Sequence, residues 1–73
     1  MKELNLGQQI QAIRTSLDLT QEQLAQKSGI SKDHISKIER GVISPNYRSI
    51  MKIADALNMS VSALCSVTEK AVS

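Results

Sequence analysis

Aromatic side chains are almost absent from this chain: its 73 residues include no Phe, no Trp and a single Tyr, Tyr47. A core without rings must be filled by Leu, Ile, Val and Ala, which suits close-packed short helices better than a pleated sheet. The same scarcity removes the stacking platforms that single-strand RNA readers need. With one cysteine, Cys65, there can be no internal disulfide framework and no Cys-rich zinc site, so a small buried hydrophobe is expected there. No apolar run approaches the ~20 residues that span a bilayer, and the N-terminus lacks the charged-then-apolar layout of a signal peptide. A cytoplasmic protein without membrane contact is expected. Catalytic groupings are missing too. Ser31, Ser36 and Ser60 have no histidine arranged to activate them, and His34 has no second ligand at a metal-binding spacing. Neither an enzyme nor a metal or cofactor site is expected.

What is present is helical periodicity. A chain this short buries only about 60% of its unfolded surface, so it reads as one domain, 1–73, with a core over about 6–65 and a tail over 66–73. Leu6, Ile10, Ile13 and Leu17 predict an amphipathic first helix from about Leu6 to Leu17, turned at Asp18 and Leu19. Pro45 blocks helix in the loop from Val42 to Asn46, and Asn46 is a natural N-cap for a fourth helix beginning near Tyr47. Ile50, Ile53, Ala54 and Leu57 give that helix one inward stripe, which Asn58 ends. Ser60 caps a fifth, with Val61 and Leu64 inward, and Val67 and Val72 are left without a place in the core. The expected fold is all-α.

The most informative stretch is Thr20 to Gly41, TQEQLAQKSGISKDHISKIERG. Thr20 and Gln23 stand at capping-box spacing, and Leu24 and Ala25 form the buried side of a second helix. Gly29 falls where the chain must reverse, because the left-handed region is open to a residue without Cβ. Ser31 is a second N-cap, Ile35 and Ile38 share one face of the helix it starts, and Gly41 supplies the stop. Winding that helix at 3.6 residues per turn puts Lys32, Asp33, Ser36, Lys37 and Arg40 opposite the isoleucines, a face with no apolar member. Two helices joined by a glycine turn, the second with such a face, read as a DNA-binding helix-turn-helix.

Charge is unevenly spread. The net formal charge is only +2, yet between Lys27 and Lys52 six cations, with Lys32, Lys37, Arg40 and Arg48 among them, face only Asp33 and Glu39. The remaining ends are slightly acidic. One basic face is expected, with phosphate as its partner.

At this point the chain resembles the phage-repressor and Cro-like helix-turn-helix regulators, the Xre family. The resemblance rests on Gln21, Ala25, Gly29, Ile35 and Ile38, on the Ile38 to Gly41 run, and on Pro45 followed by Ile50, the Ile53 to Leu57 run and Val61. It spans about Leu6 to Leu64. It implies a compact five-helix, lambda-repressor-like domain in which Gln21 touches the DNA backbone. It also implies that Arg14 pairs with Glu39 to hold the recognition helix. In a major groove, Lys32 and Lys37 would favour guanine O6 and N7, Asp33 would accept from cytosine N4, and Ser36 would suit either. Ser31, Arg40, Asn46, Tyr47 and Arg48 join Gln21 as expected backbone contacts. Asp33 has a rival role as a first-turn carboxylate complementing the helix dipole, and the whole polar face has a plainer reading as solvated surface.

The expected function is that of a sequence-specific regulator of transcription, a repressor acting as a homodimer on a two-fold operator in double-stranded DNA. The dimer patch is open between Val42 with Ile43 and the fifth helix with Val67. Phage or plasmid repressors, restriction-modification controller proteins and antitoxins share this size within the family. A toxin or RNA polymerase is therefore a candidate protein partner. The alternative is a protein-interaction module on the same scaffold, which would not need Lys32, Lys37, Arg40 and Arg48 together.

Overall fold

The computed structural model describes the backbone of residues 5–70 and the side chains of residues 5–65. Five helices follow one another: α1 Leu6–Ser16, α2 Gln21–Ser28, α3 Lys32–Glu39, α4 Tyr47–Ala56 and α5 Val61–Lys70, with no strand among the described residues. The all-α expectation is met.

Each helix opens on a short polar side chain that accepts from an otherwise orphaned amide. Thr20 Oγ1 accepts from Gln23 N at 3.0 Å, Ser31 Oγ from His34 N at 3.1 Å, Asn46 Oδ1 from Ser49 N at 2.8 Å and Ser60 Oγ from Ala63 N at 3.0 Å. A fifth cap was not anticipated. Asn5 Oδ1 accepts from Gln8 N, and Gln8 Oε1 accepts in return from Asn5 N, a second capping box beside that of Thr20 and Gln23. Caps of this kind contribute about 1 kcal/mol each.

The helix ends share a second device. Beyond α1, α3 and α4, Asp18, Gly41 and Asn58 adopt the left-handed conformation, and the residue after each donates back to the carbonyl five places earlier. These are Schellman closures. Gly29 ends α2 at φ 76°, donating to Ala25 O at 2.9 Å.

Ile10, Leu24, Ile35, Ile38, Ile53 and Leu64 are fully buried, so every helix sends at least one large aliphatic side chain into a common core. Each such side chain contributes roughly 1.5 to 3 kcal/mol by leaving water. α1 packs on α3 and α5, α2 on α3 and α4, and α4 on α5. Thus α3 is gripped by α1 and α2 and turns its remaining side outward.

Four expectations need correction. Leu17 is not the last member of an inward stripe: α1 stops at Ser16, the turn through Asp18 redirects the chain, and Leu17 is 50% exposed. Ile43 packs partly against the core, whereas its neighbour Val42 is exposed. Cys65 is only half-buried. The tail placed from Ser66 onward begins inside α5, which continues as helix to Lys70, since nothing between them breaks it. The side chain of Val67 and all of Val72 lie outside the described residues.

Candidate nucleic-acid interface

The corner between α2 and α3 is built as its sequence demands. Gly29 turns the chain, Ile30 tucks partly into the core, and the buried Ser28 hydroxyl accepts from Ile30 N at 3.3 Å. With Ile35 and Ile38 buried, the opposite arc of α3 carries Lys32, Asp33, Ser36, Lys37 and Arg40 together, as expected. These side chains are already organised in pairs one turn apart. Lys37 Nζ lies 3.2 Å from Asp33 Oδ2, and Arg40 Nε donates to Ser36 Oγ at 3.2 Å and to Ser36 O at 3.3 Å. His34 sits beside this arc, half-buried, and no group of three or more metal-ligating side chains forms among the described residues.

Behind the arc lies a buried polar node. Arg14 Nε donates to Glu39 Oε2 at 2.8 Å and its Nη2 to Glu39 Oε1 at 3.2 Å, while Nη1 donates to the Leu19 carbonyl at 2.6 Å. Gln21 Nε2 adds a bond to Glu39 Oε1 at 2.9 Å. One carboxylate therefore ties α1, the first residue of α2 and the last residue of α3. Because both charges are shielded and every buried polar side-chain atom among the described residues has a partner, this is not the weak exposed version of an ion pair. The node fixes the tilt of α3 against the scaffold.

Gln21 thus spends one amide proton inward. Gln21 and the start of α2 line an open groove together with Thr20, Glu22, Asp18 and Lys32. A helix N-terminus of this kind favours an anion. At the start of α4, Asn46 uses its side-chain oxygen as the cap, and Tyr47 and Arg48 stand exposed beside it. Ser31 likewise commits its hydroxyl oxygen as the acceptor of a cap, from His34 N, and its hydroxyl proton takes no part in that bond.

Three residues that shape the site escaped sequence reasoning. The Asn5 and Gln8 spacing carried a legible capping signal. Gly7 carried none: its role is to let the backbone of α1 come against the Ile38 carbonyl of α3. No helix among the described residues is long and apolar enough to cross a membrane.

The family model described as helix-turn-helix matches residues 10–64. The immunity repressor protein of Bacillus phage phi105 is 39% identical over 61 residues, covering 84% of this chain and 42% of that protein. The chain therefore spans less than half the length of this curated relative. Among solved structures, the restriction-modification controller protein C.AhdI from Aeromonas hydrophila superposes with a TM-score of 0.78 at 34% identity, covering 81% of this chain and 89% of that one. The P22 c2 repressor in complex with a synthetic operator superposes with a TM-score of 0.76 at 31% identity, covering 84% and 92%. The five-helix arrangement is that of the lambda-repressor-like domains, and these relatives are regulators rather than enzymes.

Proposed function

This chain belongs to the helix-turn-helix family, and from that premise we propose that it is a sequence-specific regulator of transcription that binds double-stranded DNA through α3 in the major groove. The observation that carries this reading is the outer arc of α3: five side chains able to meet base edges or phosphates, with no apolar member, on a helix whose opposite face is locked by Ile35, Ile38 and Glu39. Lys32, Asp33, Ser36 and Lys37 read bases. Gln21, Ser31, Arg40, Asn46, Tyr47 and Arg48 hold the DNA backbone, using the amide-rich starts of α2 and α4 as phosphate seats.

A single module of this size buries too little surface for high specificity, so it acts in the cytoplasm as a homodimer on two half-sites about one helical turn (~34 Å) apart. Repression follows most simply, by occlusion of polymerase at the operator. That C.AhdI controls restriction-modification and the phi105 protein is an immunity repressor supports this class of role.

Selection of bound sequences from a random duplex pool tests the reading. A two-fold symmetric motif is expected. No enriched motif, with no duplex binding at low salt, would turn the assignment to a protein-interaction module that binds a toxin or another regulator.

A further inference from the structure

Between Lys27 and Lys52 the sequence holds two carboxylates, and the fold treats them oppositely. Glu39 is buried and satisfied by Arg14 and Gln21. Asp33 is 74% exposed on the arc of α3 that faces away from the core, the one acid that this basic segment offers to a ligand. Local structure does not demand it there, because Ser31 already caps the helix. Its charge partner is Lys37 Nζ at 3.2 Å, and an exposed pair of this kind adds little to stability.

Resting on the reading of α3 as the major-groove helix, we propose that Asp33 and Lys37 form one reading unit that selects a G·C base pair in a single strand orientation, with Asp33 rejecting the reversed pair. Within a groove walled by phosphates, a carboxylate loses water and gains like-charged neighbours. It is tolerated only where a base donor meets it, as cytosine N4 or adenine N6 does. The lysine ammonium separates these two cases, because guanine offers it both O6 and N7 where thymine offers O4 alone. Guanine O6 and cytosine N4 are hydrogen-bonded to each other, so they lie about 2.9 Å apart. The 3.2 Å ion pair matches that spacing, and each charge can sit over its complement without the pair parting. On the reversed C·G pair the ammonium meets the amino group and the carboxylate meets O6, and both contacts repel. The neighbouring Ser36 is held by Arg40 and carries no charge, so the orientation preference rests on Asp33 and Lys37. Discrimination by repulsion is a general route to specificity.

The experiment compares wild type, Asp33→Ala, Asp33→Asn and Lys37→Ala on the selected operator, on its single-pair variants and on random duplex, by fluorescence anisotropy, with melting curves as the folding control. Wild type should prefer G·C over C·G roughly ten- to hundredfold at one position per half-site, and Asp33→Ala and Lys37→Ala should each cut that preference to about threefold or less at the same position. Asp33→Asn should retain part of it. Asp33→Ala should also bind random duplex several-fold more tightly, since a charge that repels phosphate is gone. An operator preference unmoved by Asp33→Ala would overturn this proposal alone and leave Asp33 as a complement to the helix dipole. Altered preference at different base pairs for Asp33→Ala and Lys37→Ala would overturn the reading unit. Absence of any selected motif for wild type would overturn the DNA assignment itself, and this proposal with it.

Discussion

Gly7 of α1 lies against the main-chain carbonyl of Ile38 in α3, so closely that a Cβ at position 7 would overlap the carbonyl oxygen. This approach sets how near α1 comes to α3. Alanine would raise intrinsic helix propensity by about 1 kcal/mol at this position. The obstacle is backbone, however, and forced overpacking costs roughly 1 to 3 kcal/mol, so Gly7→Ala should be a net destabilisation. In a domain this small each kcal/mol lowers the melting temperature by about 4 to 8 °C. Thermal unfolding followed by circular dichroism checks it, and a raised melting temperature would mean the two helices stand further apart.

Gly29 presents the reverse case. Nothing lies within 4 Å of a Cβ built there, but its φ is 76°. Gly29→Val should cost roughly 1 to 2 kcal/mol or more through backbone strain alone. Gly29→Asn should cost clearly less, because Asn tolerates this conformation, as Asn58 already does in the same chain. Equal losses for the two variants would point to packing instead of φ.

The Arg14 and Glu39 pair invites a double-mutant cycle. Glu39→Ala strands a shielded guanidinium and deprives Gln21 of its acceptor, so a loss of about 3 to 5 kcal/mol is expected in urea denaturation. Arg14→Met combined with Glu39→Leu should lose much less than the sum of the single changes, since no uncompensated charge remains. Additive losses would show that the two side chains act independently.

Phosphate binding should declare itself through salt. A dimer that neutralises about six phosphates should bind its operator with a log–log salt slope near −5. Arg48→Ala should weaken binding to all sequences alike and flatten that slope by about one unit for each phosphate no longer neutralised. A change confined to particular base pairs would instead put Arg48 among the base readers.

The chain alone determined the helices, their caps at Thr20, Ser31, Asn46 and Ser60, the turn at Gly29 and the polar arc of α3. All of these depend on interactions within four or five residues, which spacing and residue type disclose. The pairing of Arg14 with Glu39 was available only through resemblance, since a separation of 25 residues leaves no local trace. Tertiary structure decided the rest. It brought Gln21 onto the same carboxylate, pressed Gly7 against Ile38, left Leu17 outside the core, and buried Glu39 while exposing Asp33. Two acids six positions apart on one helix look alike in sequence. Only the packing of α1 and α2 against one side of α3 makes one of them a structural tie and leaves the other facing outward.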